Sequence, residues 1–573
     1  MLRRSFFNPL LQQNSGAVPS VVDIYFIAIW GQSNGTSRFT ISGNLPAGQQ
    51  GAQTGMYNWA YNAGTPAWQS YNSGTNDSYG TNVVINGSTT DYNNVAGCFA
   101  IGNSLGYKLY NTYNKPTYLV SSCVGGTGLD SSFTPLTWDS GTVNNLYDQA
   151  LNRTLSAYAA CKAANPGLTI KPVILWVQGE SDAYTSQATA DNYETNLTNL
   201  INTSRTELEV GDADFANVDY VVTSLRADTV SYPWRDTVQR AQVAVASTLD
   251  NVYLHYMNTD RTPISSDTEH YTPISASFGG QLAAVNAGYD LADAFNQLYE
   301  PIVDTGYIQY LGVNTSTSGD YKYVDFTTHG ILKVLSTGSK TLDNYLVLGG
   351  GGSGGNGVGT QGGGGGGGEA KIGTSLTVSA VSYPVYIGAG GAIAGGTFIG
   401  KNGSSSTAFS QTASGGSGGA SYDAGGDGLS GVNGGGGSSY KFGAKGLGGT
   451  GTGFNGGDGF LYSGGQGAAG GGAGANGNGA NATSTTVAGA GGVGIQWVDG
   501  TYYGGGGGGS CDNAGTPGAG GNGGGGVGHK RSVSAAVSGT DGLGGGGGGL
   551  SDSALGQTTG GSGRVKLRIK FQN

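Results

Sequence analysis

The sequence has few of the features that would assign it to several common protein classes. It contains four cysteines in 573 residues, and charged residues make up 11% of the chain. It has no apolar run of 18 or more residues, so we expect no membrane-spanning helix. The formal net charge is −10 and Lys and Arg do not form a basic stripe. We therefore expect no nucleic-acid partner, because phosphate contacts need clustered cations.

The cysteines have no paired spacing. Cys98, Cys123 and Cys161 lie in the first half of the chain, Cys511 stands alone in the second, and no CxxC pattern occurs. Scattered thiols of this kind favour free, partly buried cysteines over a disulfide framework. No residue pattern indicates a metal ion or a cofactor, and we expect neither.

Glycine is abundant, and its distribution divides the chain. Of the 114 glycines, 29 lie up to residue 340 and 85 lie after it. A chain of this length is longer than a domain with a single hydrophobic core, so we expect at least two domains. We predict an N-terminal tether or docking segment at residues 1–20, a globular domain at 21–300, a linker at 301–320 and a glycine-rich domain at 321–573.

Strand-like and helix-like segments alternate through the globular domain. This spacing predicts crossover units and a parallel sheet with helices on both faces. Residues 36–94 do not fit the alternation and are interpreted as an elaborated loop beside the carboxyl edge of the sheet. The strand candidates are 22–30, 118–124, 172–176, 220–225 and 252–257, and the helix candidates are 96–110, 143–163, 190–207, 234–247 and 279–298.

The first strand candidate ends in a polar turn, Gly31-Gln32-Ser33-Asn34. In open parallel sheets ligands bind at the carboxyl ends of the strands, where this turn would lie. Further polar turns follow three other strand candidates at the same edge, at residues 124–128, 176–182 and 267–271. Taken alone, the Ser33 turn is equally explained as an ordinary connection from a strand to a loop.

A nucleophilic serine needs an adjacent base, usually histidine, and a carboxylate that orients this base. The chain has four histidines. His329 and His529 lie in the glycine-rich part, and His255 lies in an apolar strand candidate, where we expect a structural role. His270 lies in a polar loop three residues after Asp267, a spacing that places the carboxylate beside the imidazole.

Three blocks of the globular domain, at residues 31–34, 176–182 and 267–270, resemble the signature blocks of the sialate O-acetylesterase-like and plant carbohydrate-esterase branch of the SGNH hydrolases. The resemblance covers about residues 20–300. It implies a flavodoxin-like three-layer α/β/α sandwich that cleaves acetyl esters from sugars. It implies Ser33 as the nucleophile, His270 as the general base and then acid, and Asp267 as the carboxylate that orients the imidazole.

The same resemblance implies an oxyanion hole and a set of supporting residues. The donors would be the backbone N–H groups of Ser33 and Gly126 and the side chain of Gln178. Glu180 and Asp182 are two of the supporting residues. Both a catalytic role and a structural role, in holding the oxyanion loop, are open for them. The other supporting residues are Gln32 and Asn34.

Beyond residue 320, strand-like segments alternate with glycine blocks such as 362–368, 504–509 and 544–549. Two interpretations are open. Glycine runs can be flexible linkers, since glycine has the largest backbone entropy to lose on ordering. They can also pack side by side as polyproline-II helices, because the missing Cβ lets backbones approach closely. We expect a packed glycine lattice framed by β-strands, because linkers rarely carry interleaved strands and a closing strand.

The glycine-rich part resembles the glycine-rich domains of bacteriophage tail fibres and adhesins. The shared features are a Phe326-Thr327-Thr328-x-Gly330 strand, glycine blocks after residues 345–348 and a closing Gly-Ser-Gly-strand at 561–571. The resemblance implies a tail fibre or receptor-binding protein of a virion. Residues 1–20 show no secretory signal, so we expect assembly in the host cytoplasm and release by lysis.

This interpretation implies several partners. We expect an acetylated host surface polysaccharide as the substrate, a bacterial outer-surface receptor for the glycine-rich domain, other virion tail proteins, and a homotrimeric state. The alternative function is a non-catalytic adhesin, in which the SGNH domain serves only to bind glycan.

Overall fold

A computed structural model describes most of the chain. All structural statements below refer to these residues. They are 22–32, 49, 52–62, 65–72, 82–85, 88–91, 101–134, 136–141, 146–225, 232–255, 288–293, 295, 308–334, 340–357, 360–379, 381–392, 399–421, 426–440, 443–463, 466–551 and 558–570. The chain divides into two compact units, an N-terminal unit at residues 1–311 and a C-terminal unit at 312–573, and each is described by itself.

The N-terminal unit is built around a seven-stranded sheet and a separate hairpin. Its strands are β1 (Ile24–Gly31), β2 (Ala52–Asn62), β3 (Thr65–Asn72), β4 (Asn82–Ile85), β5 (Ser88–Asp91), β6 (Thr117–Ser121), β7 (Ile170–Val177), β8 (Asp219–Thr223) and β9 (Val252–His255). The sheet has the order β3-β2-β6-β1-β7-β8-β9, and β6, β1, β7, β8 and β9 are parallel. Counted along the chain, these five strands have the flavodoxin-like order 2-1-3-4-5.

Helices cover both faces of this sheet. They are α1 (Ile101–Tyr113), α2 (Leu146–Ala164), α3 (Glu180–Thr185), α4 (Gln187–Gly211) and α5 (Arg235–Thr248), and residues 288–293 are also helical. On one face, Ile27 of β1 belongs to a core cluster that includes Leu105 of α1 and Leu291. On the other face, Phe26 of β1 contacts Tyr158 of α2 edge to face at 4.9 Å. The three-layer α/β/α sandwich predicted from the sequence is confirmed.

The two faces explain why β1 has no polar alternation. All eight residues of β1 are buried. Successive side chains of a strand point to opposite faces, so a strand between two helical layers needs apolar residues throughout. Each of the five predicted strands corresponds to one of the parallel strands. Four predicted helices correspond to α1, α2, α4 and α5, and the fifth lies partly outside the described residues.

The interpretation of residues 36–94 as a loop is wrong where the structure describes them. Strand β2 extends the central sheet parallel to β6, β3 pairs antiparallel with β2, and β4 and β5 form a hairpin. Aromatic contacts stabilise this addition: Tyr57 stacks on Tyr118 at 4.4 Å, and the Trp68 indole N–H donates to the Ala157 carbonyl at 3.1 Å. Aromatic cross-strand pairs therefore hold strands whose many Asn, Gly and Ser residues suggested a loop.

The C-terminal unit has one larger sheet and several short strand pairs. The larger sheet contains β10 (Ile308–Ser318), β11 (Tyr321–Val334), β12 (Lys340–Leu348), β13 (Ala370–Val378), β14 (Ser382–Val385) and β23 (Arg564–Lys570). The short strands are β15 (Ser406–Ala408), β16 (Gln411–Ala413), β17 (Gly431–Asn433), β18 (Gly451–Phe454), β19 (Phe460–Ser463), β20 (Gln466–Ala468), β21 (Ile495–Gln496) and β22 (Tyr502–Tyr503). The order in the larger sheet is β10-β11-β23-β12-β13, with β14 on β11. Strand β10 thus begins this sheet inside the segment predicted as a linker at 301–320.

The last strand of the chain lies in the middle of this sheet. Strand β23 pairs antiparallel with both β11 and β12. Its apolar residues Val565 and Leu567 are buried. Its basic residues form ion pairs on the other face, Arg564 with Asp325, Lys566 with Asp499 and Arg568 with Asp343. The alternating basic and apolar sequence therefore corresponds to two differently packed faces.

Glycine run 362–368 lies at the centre of a packed lattice. The neighbouring run that a Cβ atom would contact repeats at every third residue. A Cβ at residue 362, 365 or 368 would contact the run 349–355. A Cβ at 363 or 366 would contact the run 433–436, and a Cβ at 364 or 367 would contact the run 504–508. The run's N–H groups donate to other runs, from Gly363 to Ala420, from Gly364 to Gly470 and from Gly365 to Gly547. A threefold repeat whose hydrogen bonds all leave the segment is the pattern of polyproline-II helices. The packed lattice is confirmed, and the flexible-linker interpretation is wrong.

Three cysteines agree with the sequence prediction. Cys123, Cys161 and Cys511 are buried thiols that form no disulfide, and Cys98 lies outside the described residues. Among the helices that the structure describes, none combines the length and apolar character needed to cross a membrane. Within the same residues, no group of His, Cys, Asp and Glu side chains is arranged to hold a metal ion.

We expect Gly365→Ala to destabilise the C-terminal unit by about 3 kcal/mol, as overpacking does at its upper range. An alanine Cβ at this position would lie 2.2 Å from the Gly352 carbonyl oxygen, and the backbone cannot yield without losing lattice hydrogen bonds. Differential scanning calorimetry of the full chain would show a lower unfolding temperature for this unit. Gly453→Ala is the matched control, because its nearest neighbours would lie 3.2 Å away. Equal destabilisation by both substitutions would contradict the close-packing explanation.

Candidate active site

The candidate site lies at the carboxyl edge where β1 and β7 are neighbours. Strand β1 lies between β6 and β7 in the sheet. Among the five core parallel strands, the one that follows β1 in the chain (β6) lies on one side of it and the next three lie on the other, so the strand order reverses here. Ligands of open α/β sheets bind at such switch points. Beyond the last paired residues, the Gln32 N–H donates to the Val177 carbonyl at 2.8 Å and the Val124 N–H donates to the Gly31 carbonyl at 3.0 Å. Three strand ends are therefore held together directly before Ser33.

Gly31 makes this close approach possible. Its φ is 134°, and a Cβ atom would lie 2.1 Å from the Val177 carbonyl oxygen. A residue with a side chain could adopt neither this backbone conformation nor this contact without displacing β7. The glycine before Gln32 in the sequence motif is thus required by the packing of two strands.

The predicted site residues fall into two groups. Ser33, Asp267 and His270, which carry the predicted catalytic roles, lie outside the described residues, as does Asn34. Their geometry stays a prediction. The structure describes the remaining predicted residues, which are Gln32, Gly126, Gln178, Glu180 and Asp182.

The side chain of Gln178 joins the loops that follow three strands. Its Nε2 lies 3.2 Å from Gln32 Oε1, 3.2 Å from the Thr127 carbonyl oxygen and 2.6 Å from Asp182 Oδ2. The side chain is buried, and its Oε1 has no hydrogen-bond partner within the described part of the chain. Two amide protons therefore serve three acceptors, and a bound oxyanion would compete with these acceptors for a proton.

The carboxylate of Asp182 connects the loop that follows β6 with the loop that follows β7. Both of its carboxylate oxygens lie 3.2 Å from the Leu129 N–H, and one also accepts from Gln178. Burial raises the pKa of Asp182 to about 7, although hydrogen bonds from Gln178 and from the backbone of Leu129 and Asp130 act in the opposite direction. The arrangement fixes the position of residues 124–130 relative to Gln178.

Gly126 lies at the outer end of this loop. Its φ is 73°, it is exposed, and among the described residues other than its two chain neighbours no atom lies within 4 Å of the position that a Cβ would take. The loop is held from below, since the Trp138 indole N–H donates to Thr127 Oγ1 at 3.0 Å and this hydroxyl donates to the Val124 carbonyl at 2.9 Å. A fixed turn thus presents its backbone at the edge of the sheet.

Glu180 begins α3 directly after the glycine that follows Gln178. Burial raises the pKa of the nearby Cys123 thiol to about 12, and the negative charge of Glu180 contributes to this shift. Because only a thiolate is a strong nucleophile, Cys123 is chemically inert in this position. A serine, and not this cysteine, remains the candidate nucleophile at the carboxyl edge.

Two residues of this network carry no sequence motif and were missed. The Tyr193 hydroxyl donates to the Gln178 carbonyl at 2.9 Å. Gln242 Nε2 lies 3.2 Å from the Gln178 carbonyl and 3.2 Å from the Thr223 carbonyl, while its Oε1 accepts from the Leu225 N–H at 3.0 Å. Tyr193 lies inside α4 and Gln242 inside α5. The one sequence feature that could have indicated a role was Gln242 itself, a polar residue on the otherwise apolar buried face of α5.

His255 lies at the end of β9, where the sequence predicts a structural histidine. Its backbone carbonyl accepts the Ser224 N–H at 2.8 Å. Burial lowers the pKa of His255 to about 4, so the imidazole is neutral near pH 7.

Family comparisons assign a type to each half of the chain. Residues 22–287 match the family described as carbohydrate esterase, sialic acid-specific acetylesterase, and residues 333–570 match the glycine-rich domain family. The chain therefore carries a sialate O-acetylesterase-type carbohydrate-esterase domain followed by a glycine-rich domain.

Several solved structures are similar to the chain at low sequence identity. A protein of Arabidopsis thaliana is 20% identical, with 48% of this chain and 98% of that chain covered and a TM-score of 0.35. NanS is 13% identical, with 48% and 98% covered and a TM-score of 0.33. A carbohydrate acetylesterase from Xanthomonas citri is 14% identical, with 56% and 67% covered and a TM-score of 0.31. Among curated proteins, no sequence matches the chain significantly.

We expect two buried groups to give the N-terminal unit opposite pH dependences of stability. The His255 pKa is lowered from 6.5 to about 4, so its contribution is present above pH 6.5 and is lost as the pH falls towards 4. The Asp182 pKa is raised from 3.8 to about 7, so its contribution is present below pH 3.8 and is lost as the pH rises towards 7. At about 1.4 kcal/mol per pKa unit, the effect amounts to at most about 3 kcal/mol for His255 and at most about 4 kcal/mol for Asp182.

Single substitutions separate the two effects. Asp182→Asn leaves only the His255 effect, so between pH 4 and 6.5 the unfolding free energy increases with pH more steeply than in the unmodified chain. His255→Gln leaves only the Asp182 effect, so over the same range the unfolding free energy decreases as the pH rises. Urea unfolding followed by tryptophan fluorescence measures this unit, because six of the seven tryptophans precede residue 311. Identical pH profiles for both variants would show that neither group is buried as described.

Proposed function

We propose that the N-terminal unit is a serine O-acetylesterase that removes acetyl groups from a bacterial surface glycan. The observation that carries this proposal is the junction at Gln178, where the loops after β1, β6 and β7 are hydrogen-bonded together through Gln32, the residue that precedes Ser33 in the sequence. This junction supplies the fixed edge that acyl transfer needs, and the carbohydrate-esterase type of the domain supplies the substrate class.

The proposed reaction proceeds through an acetyl-enzyme. The Ser33 hydroxyl attacks the acetyl carbonyl while His270, oriented by Asp267, takes its proton. The N–H groups of Ser33 and Gly126 and the amide of Gln178 stabilise the oxyanion, each by about 3 kcal/mol. His270 then gives the proton to the departing sugar oxygen, and a water molecule deprotonated by His270 hydrolyses acetyl-Ser33 to acetate.

We further propose that the chain acts in a virion, as a tail fibre or receptor-binding protein of a bacteriophage. The support is a closely packed, hydrogen-bonded glycine lattice that shares one chain with a carbohydrate-esterase-type domain. In this proposal the esterase acts on the acetylated host polysaccharide, the glycine-rich unit binds an outer-surface receptor, and the chain forms a homotrimer that contacts other tail proteins. The alternative, a non-catalytic adhesin, differs in predicting no ester hydrolysis.

We expect Ser33→Ala to lower kcat/KM for ester hydrolysis by at least about 10³-fold, because the oxyanion donors alone cannot form the acetyl-enzyme. The measurement is acetate release from p-nitrophenyl acetate and from O-acetylated N-acetylneuraminic acid. Ser156→Ala, on the exposed surface of α2, is the matched control and should retain activity. Undiminished turnover by the Ser33 variant would rule out the proposed nucleophile.

Adsorption to bacteria should depend on the C-terminal unit and not on catalysis. Labelled full-length protein is first screened against a panel of strains to find one that it binds. On that strain, Ser33→Ala should bind as the unmodified chain does, whereas Gly365→Ala should lose binding and retain ester hydrolysis. The reverse result, with binding lost only in the Ser33 variant, would assign recognition to the esterase unit and favour the adhesin alternative.

A further inference from the structure

Tyr184 differs from the other aromatic side chains near the carboxyl edge of the sheet. It is 60% exposed, whereas Trp176, Tyr193 and Tyr232 are buried. Of the aromatic side chains that the structure describes in the N-terminal unit, no other is comparably exposed. A single exposed ring is common on protein surfaces, so its position and its support decide what it signifies.

The position of Tyr184 is set by the site itself. Helix α3 begins after Gly179, immediately beyond Gln178. One turn before Tyr184, the Ser181 N–H lies 3.4 Å from Gln32 Oε1, the side chain that precedes Ser33. Residues three apart share one face of a helix. Tyr184 therefore lies about one helical turn, roughly 5 Å along α3, from a residue whose N–H contacts the Gln32 side chain.

The ring is also held in one orientation. Buried Tyr232 contacts it edge to face, with ring centroids 6.4 Å apart and ring planes at 78°. The backbone beneath it is fixed, because the Trp234 N–H donates to the Ala183 carbonyl at 3.1 Å and the Thr189 hydroxyl donates to the Asp182 carbonyl at 2.9 Å. The ring thus has a packing partner in Tyr232, while much of the surface of Tyr184 remains in solvent.

We propose that Tyr184 is a substrate-binding residue on which the sugar ring carrying the acetyl ester stacks. This inference rests on the proposed function and adds a binding subsite to it. A pyranose presents a face of C–H bonds, and an aromatic ring presents a negative face that attracts them. A rigid, amphipathic tyrosine supplies this contact at low entropic cost. The acetyl group is common to all acetyl esters, so Tyr184 contributes selectivity for a ring-shaped alcohol.

The test compares acetyl esters with and without a sugar ring. The ring substrates are peracetylated methyl glucoside and O-acetylated N-acetylneuraminic acid, and the ringless substrate is glyceryl triacetate; acetate release is followed by pH-stat. We expect Tyr184→Ala to lower the ratio of kcat/KM for at least one sugar to kcat/KM for glyceryl triacetate by about tenfold, through a higher KM. Tyr184→Phe, which keeps the ring, should retain at least half of the ratio.

Tyr502→Ala, an exposed tyrosine of the C-terminal unit, is the matched control. A ratio in Tyr184→Ala that stays within twofold of the unmodified chain, or that falls equally in Tyr502→Ala, overturns the subsite while leaving the esterase assignment intact. Failure of the unmodified chain to hydrolyse any of the three esters overturns the proposed function, and the subsite with it.

Discussion

The absence of a Cβ atom at particular glycines is the constraint on which both units depend. At Gly31 it lets β1 and β7 approach at the point where the chain leaves the sheet towards Ser33, since a Cβ would lie 2.1 Å from the Val177 carbonyl. At Gly363 it lets one glycine run lie against another, since a Cβ would lie 1.9 Å from the Gly436 carbonyl. In the first case one glycine shapes the edge of the candidate site, and in the second repeated glycines let backbones interlock beside small hydrophobic clusters.

The buried polar network beneath the candidate site has a cost and a use. Burying Asp182 away from water disfavours its charge, which appears as its raised pKa. The N–H groups of Leu129 and Gln178 offset part of this cost, and the same contacts fix the separation of two loops. A set of apolar side chains could fill this space but could not specify hydrogen-bond distances between loops. The network therefore exchanges some stability for the preorganisation that acyl transfer requires.

The parts of the fold that sequence could predict are those with one-dimensional signals. A strand buried on both faces is a continuous apolar run, as in β1, and a glycine lattice is visible as glycine blocks between strands. Strands β2 and β3 were missed because their stability comes from contacts with distant residues, such as Tyr57 on Tyr118. Gln242 was missed for the same reason, since its partners at residues 178 and 223 become neighbours only when α5 packs against the sheet. Motif spacing located the described polar residues of the site, but their hydrogen-bond partners depend on three-dimensional packing.

In the proposed function, catalysis and sugar selectivity depend on residues that differ in burial. The junction at Gln178 is buried and interacts with several elements, so a substitution there disturbs three loops at once. In the proposed reaction, this junction is adjacent to the part of the substrate that does not vary, the acetyl group. Within α3, Asp182 is buried and contacts Gln178 through its carboxylate, whereas Tyr184 and Thr185 are exposed, so the side chains at these two positions can change without altering the loops at the junction. Changes in sugar preference should therefore accumulate at exposed positions such as Tyr184, where the cost to the catalytic geometry is lowest.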